Sequence, residues 1–177
     1  MYERFLPSFA VVEINNSTAH RIGHAISQVP AYAADVATKT VGNYKFVENG
    51  IIVGFDLGNK LVNYDAKQHA QPCLVYNDEL ITGPIDSLDK YAEEIEDGKP
   101  VYVRALPLYI GDSFTTDKYT GTLPTSGHAY AKVDNGVLAV SASYTDGVEF
   151  LVEASTLPNG KPAGAFTFVG KVAPKAE

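Results

Sequence analysis

Turn signals recur through this chain at short intervals. Asn49-Gly50 divides the apolar runs 44–48 and 51–54. Asp134-Asn135-Gly136 divides 129–133 from 137–141, and Pro158-Asn159-Gly160 closes the run that follows Asp146-Gly147. Asn-Gly adopts the positive φ angles of a tight turn at little steric cost, so apolar runs on its two sides read as neighbouring strands. Several short strands at such spacing define the expected fold class: mainly β, a small β-barrel or sandwich.

The strand candidates are 9–14, 60–64, 73–76, 101–106, 129–133, 137–141, 148–154 and 165–169. Eleven Tyr and eight Phe, with 15 Gly and 10 Pro as punctuation, favour strands over helices. One short helix is expected over 87–97. Leu88, Tyr91, Ala92 and Ile95 share a face at helical spacing, Asp86 or Ser87 can cap the start, and Gly98 suits the stop. Its acidic C-terminal end opposes the helix dipole, so the helix should be short and marginal.

Residues 1–43 are expected to form an irregular N-terminal arm, and 44–177 a β-rich barrel-like domain. Between 20 and 41 the pattern is weak, alanine-rich and interrupted by Pro30, although 25–29 also fits a short strand in a surface loop. The arm carries Phe5, Leu6, Phe9, Val11, Val12, Ile14, Ile22, Ile26 and Val29, which would cost free energy if left in water. Contact with another polypeptide is therefore expected, through Phe9, Val11 and Ile14, by strand addition at 9–14. The competing expectation is that 9–14 joins the chain's own barrel as an edge strand.

Composition excludes several functions. The 177 residues are 45% hydrophobic and carry a net charge of -7, with 14 scattered Lys and Arg. A nucleic-acid surface needs clustered basic residues, so none is expected. No apolar run approaches a membrane span, so no membrane partner is expected. The first residues lack the apolar core of a signal peptide, so folding in a reducing cytoplasm is expected. The single cysteine, Cys73, cannot form an internal disulfide and reads as a small buried hydrophobe.

No chemistry assembles in the sequence. Gly111-Asp112-Ser113-Phe114 matches an esterase block, but only His128 lies downstream and no Asp-x-x-His follows. A turn with Asp112 bonding backbone is the better reading. His20 and His24 have ligand spacing, yet Arg21 and Gly23 spoil the helix motif and no further ligands follow. His69 and His128 are isolated. No calcium loop or phosphate loop is present. The expectation is no catalytic, cofactor-binding or metal-binding residue, and no enzymatic activity.

Five segments carry a resemblance. They are Phe46-Val47-Glu48-Asn49-Gly50-Ile51-Ile52-Val53-Gly54, Pro72-Cys73-Leu74-Val75-Tyr76, Lys99-Pro100-Val101-Tyr102-Val103-Arg104, Ile110-Gly111-Asp112-Ser113-Phe114-Thr115-Thr116-Asp117 and the strand region 160–172. Together they resemble a family of tailed-bacteriophage structural proteins encoded beside the major capsid protein. The resemblance implies a non-enzymatic capsid decoration or auxiliary protein of the virion. Its partners would be the major capsid protein, neighbouring copies of itself, or both. Repeated sites on a shell make modest affinity per copy sufficient. Two other readings stand beside it. One is a tail, baseplate, receptor- or carbohydrate-binding module, with Tyr109, Tyr119, Tyr130 and Tyr144 as candidate sugar-stacking residues. The other is a hydrolase, which would have to join Ser113, His128 and an acid.

Overall fold

Three strands, Ile52–Phe55, Cys73–Val75 and Val101–Pro107, organise the chain in a computed structural model. The structure describes residues 12–13, 26–56, 58, 60–64, 72–76, 92–143, 149–157 and 160–170. In chain order the strands are β1 Val12–Glu13, β2 Ile26–Ala31, β3 Lys39–Val41, β4 Tyr44–Glu48, β5 Ile52–Phe55, β6 Leu61–Asn63, β7 Cys73–Val75 and β8 Ala92–Ile95. They continue as β9 Val101–Pro107, β10 Ser113–Thr116, β11 Tyr119–Thr120, β12 Ala129–Asp134, β13 Val137–Ser141, β14 Phe150–Thr156 and β15 Pro162–Phe168. No helix occurs among the described residues, and the fold is all-β.

Strands β2-β6-β5-β7-β9 close a small barrel. A curled seven-stranded sheet, in the order β1-β10-β15-β14-β12-β13-β11, packs on its outside. A third sheet has the order β3-β4-β8. Most pairs are antiparallel, with β2–β6 and β11–β13 parallel.

Side-chain alternation places β5, β7 and β9 between two cores. Val53, Cys73, Val75, Val103 and Ala105 point into the barrel, where Val29, Ala31, Val36, Val47, Leu61 and Ile95 join them. Ile52, Leu74 and Leu106 point the other way, against Phe114, Phe150, Val152, Phe166 and Phe168 of the large sheet. Successive strand residues face opposite sides, so a strand buried on both faces must be apolar throughout. That accounts for the uninterrupted runs Ile51-Ile52-Val53 and Cys73-Leu74-Val75. Phe114 stacks on Phe166 across the β10–β15 ladder at 5.9 Å, and meets Phe150 edge-on at 6.2 Å. Such aromatic pairs add about 1 kcal/mol each beyond the area they bury.

Three expectations need correction. The helix over 87–97 is not formed at its C-terminal end: Ala92–Ile95 is β8, antiparallel to β4. Ile95 is buried in the barrel core while Glu94 and Glu96 are exposed, a period of two rather than 3.6. Ladder pairing and burial of Ile95 outweigh a helical preference already weakened by acidic residues at the wrong end. Residues 77–91 lie outside the described residues. The boundary at 43/44 falls inside the β3–β4 hairpin, and residues 26–31 are a barrel strand paired with β9. The short strand that 25–29 also fits is present, but it runs on through half-buried Pro30 to Ala31 and lies in the barrel rather than in a surface loop. Asn49-Gly50, finally, is not a hairpin turn. It is the corner where the chain leaves the three-stranded sheet and enters the barrel. Asn135-Gly136 is the hairpin turn expected, with φ of 46° and 79°, joining β12 to β13.

Polar contacts lock the large sheet to the rest, among them Tyr64 OH donating to Glu149 Oε1 at 3.0 Å and the two that follow. The β12–β13 tip reaches the barrel, where Ile52 N donates to Gly136 O at 2.8 Å. Elsewhere Glu48, 2% exposed, receives Lys39 Nζ at 3.3 Å and is also paired with Lys118. A buried carboxylate without such partners would be costly, so Glu48 specifies how these elements meet. Gly50 lies beside it with φ +85°, where a Cβ would come within 2.8 Å of Thr116 Oγ1 and 2.9 Å of Lys118 Cβ. Gly98 has a similar φ of +79° but open space around it. Gly50→Ala is expected to lower unfolding free energy by about 3 kcal/mol, and Gly98→Ala by only about 1 kcal/mol. Urea unfolding of the two variants checks this; equal losses would contradict close docking at Gly50.

Candidate functional site

The β9–β10 turn is a strongly braced exposed feature. Leu108 enters the core and Ser113 begins β10, so four residues must reverse the chain in between. Asp112 does this with its side chain: Oδ2 accepts from Tyr109 N at 2.8 Å, and Asp112 N donates to Tyr109 O at 2.9 Å. Gly111 adopts φ +95° and donates to Phe168 O at 2.8 Å, while Phe168 N donates to Asp112 O at 2.9 Å. The Asp112 turn expected from the sequence is thus present. Its consequence is a fixed apolar tip. Ile110 is 77% exposed and Tyr109 37%. Gly170 lies under the tip with φ +74°, and a Cβ there would come within 3.1 Å of Ile110 Cδ1.

The structure does not bring the hydrolase candidates together. Ser113 pairs with Thr167, Thr167 with Leu151, and Leu151 with Tyr130, next but one to His128 in the chain. Three strand spacings, about 14 Å along the sheet, therefore separate serine from histidine. His128 Nδ1 instead lies 2.9 Å from Glu153 Oε1, with both side chains exposed. Cys73 is 1% exposed in the barrel interior, and burial pushes its thiol up to about 12. It stays protonated through neutral pH, as a buried structural cysteine does.

The tyrosines proposed for sugar stacking do not act as one platform. Tyr109 is at the braced tip, but Tyr119 packs on Phe166 at 6.1 Å, and Tyr130 is half-buried on β12. Tyr144 lies outside the described residues, as do His20, His24 and His69. No group of three His, Cys, Asp or Glu able to hold a metal occurs among the described residues. Phe9, Val11 and Ile14, expected as partner contacts, also lie outside them. Val12–Glu13 between them pairs in cis with Thr116 and Thr115 of β10, and Val12 is buried.

The exposed Ile110 was not singled out from sequence. Its one signal is position, directly before a Gly-Asp turn pair. Glu48 gave no signal, since a glutamate at a strand end is ordinarily solvated. Comparison with family models, curated proteins and solved structures finds no match to this chain.

Burial of Cys73 sets a pH dependence of stability. Above about pH 9 the unfolded chain loses the thiol proton, whereas the folded protein keeps it up to about 12. The folded state then binds one more proton than the unfolded state, so stability falls as pH rises, by roughly 1.4 kcal/mol per unit. Cys73→Ala removes this contribution. Its stability curve between about pH 9 and 11 is expected to be shallower than the parent's by about that slope. Parallel slopes in denaturant titrations would contradict the buried thiol.

Proposed function

We propose that the chain is a non-enzymatic virion structural protein, a capsid decoration or auxiliary protein that binds and stabilises a bacteriophage major capsid shell. The resemblance of segments 46–54, 72–76, 99–104, 110–117 and 160–172 to tailed-phage head proteins supports this reading. The observation that carries it in the fold is the braced 109–112 turn. Single exposed apolar residues are common and need no explanation. Ile110 is set apart by the backbone it stands on, which is fixed on both sides by the Asp112 side chain, the Tyr109–Asp112 backbone bond, the positive φ of Gly111, and the two bonds to Phe168. An apolar side chain on a pre-ordered backbone costs no loop ordering on docking, which suits an anchor at a repeated interface. Neighbouring copies on a shell would add avidity.

The carbohydrate-binding alternative draws less support, because Tyr119 is committed to the Phe166 contact. A tail or baseplate location uses the same framework and is distinguished by experiment. Purified protein should co-sediment with heads assembled from the major capsid protein of the same phage, saturating at a fixed ratio to capsid subunits. Ile110→Asp is expected to weaken that binding by at least about tenfold. Its unfolding midpoint should be unchanged, since the residue lies at the surface. Saturable binding to tails but not heads would replace the head assignment. Wild-type affinity in Ile110→Asp would remove the tip from the interface.

A further inference from the structure

The sequence contains three Asn-Gly pairs, at 49–50, 135–136 and 159–160, and the fold uses only one described pair as a hairpin turn. Asn-Gly is also a reactive dipeptide. The glycine nitrogen can attack the asparagine carboxamide carbon. A new N–C bond closes a five-membered succinimide, the carbon–Nδ2 bond breaks, and ammonia leaves with the glycine proton. Water then opens the ring at either carbonyl, giving aspartate or isoaspartate. The reaction needs water and no other reactant. What it requires of the protein is a reachable side chain and an uncommitted glycine nitrogen.

The two described pairs differ on both counts. At 49–50 the nucleophile is occupied, since Gly50 N donates to Val75 O at 3.0 Å, and Asn49 is 1% exposed. Gly50 is further held against Thr116 and Lys118. At 135–136 the side chain is in water, with Asn135 Nδ2 donating only to Asp134 Oδ1 at 3.1 Å. Gly136 N has no acceptor among the described residues.

The consequence lies on the carbonyl side of the same glycine. Gly136 O accepts from Ile52 N at 2.8 Å. The glycine is seated so closely that a Cβ would fall 2.5 Å from Asn63 Oδ1 and 3.2 Å from Ala37 Cβ. Asn63 is itself occupied, accepting from Ala37 N at 2.8 Å. Isoaspartate adds a methylene to the backbone of a two-residue turn whose ends are held in register by Asp134 and Val137. It also places a second carboxylate beside Asp134. The added methylene, more than the exposed charge, works against the tip staying seated on the barrel.

We propose that Asn135 is a self-modification site: Gly136 converts it to isoaspartate in the folded protein, and the product releases the β12–β13 tip from the barrel. The inference is independent of capsid binding. The test ages the full chain in mildly alkaline buffer and follows each Asn-Gly peptide by mass spectrometry, with isoaspartyl methyltransferase labelling. In the folded protein Asn135 should convert at least about tenfold faster than Asn49, a difference that disappears in urea. The aged fraction should unfold at lower denaturant, while Asn135→Gln, aged in parallel, keeps its midpoint. Conversion of Asn49 at the rate of Asn135 in the folded state would overturn the proposal. So would an intact Asn135 under conditions where the urea-unfolded chain reacts, or an isoaspartate form with an unchanged midpoint.

Discussion

Strands β5, β7 and β9 serve two cores at once, and the rest of the molecule is arranged around that wall. Ile52, Leu74 and Leu106 on its outer face and Val53, Cys73, Val75 and Ala105 on its inner face are all nearly or fully buried. Burying each of the larger side chains is worth roughly 1.5–3 kcal/mol, so the outer face alone commits the large sheet to the barrel. A one-residue slip in register would exchange the two sets. Polarity would not resist such a slip, because both sets are apolar; volume would. The barrel interior takes mostly Val, Ala and Cys, as a closed five-stranded cylinder has little room, while the outer face meets phenylalanines.

Apolar burial brings the two layers together without fixing their relative position, since it is non-directional. The directional contacts lie at the margins of the wall. The Gly136 O to Ile52 N bond sits at one hairpin tip, and Tyr64 OH to Glu149 Oε1, 3.0 Å, joins β6's end to the approach to β14. Glu48, between Lys39 and Lys118, marks another. These groups would be left unsatisfied by any other docking of the layers, which costs more than the bonds themselves contribute. The result is a stiff platform. The 109–112 turn inherits that stiffness through its two bonds to Phe168, a core residue of the large sheet.

Fold class was legible because turn chemistry is local. Asn135-Gly136 predicts its own hairpin, and Asp112 its own turn, from residues within four positions of each other. What depended on distant partners was not legible. Ala92–Ile95 carries a helical pattern in isolation and becomes a strand only because β4 lies alongside. Asn49-Gly50 has a hairpin's sequence but is used as a corner, since its flanking strands find partners elsewhere. Residues 26–31 fit a short strand locally, but nothing local shows that β6 and β9 pair with it to close a barrel. At the candidate site, the bracing by Asp112 could be read from Gly-Asp-Ser, but the exposure of Ile110 depends on where Phe168 and Gly170 run. The capsid reading comes from resemblance, to which the braced tip adds a physical rationale.

Cooperativity is the property that the shared wall most directly imposes. Native-state hydrogen exchange, followed through increasing urea, reports the opening free energy of each strand separately. The expected result is that the most protected amides of β5 and β7 in the barrel and of β14 and β15 in the large sheet merge into one isotherm with a common free energy and a common denaturant slope. Opening the large sheet with β5 and β7 still protected, or the reverse, would contradict a single cooperative unit built on a two-faced wall.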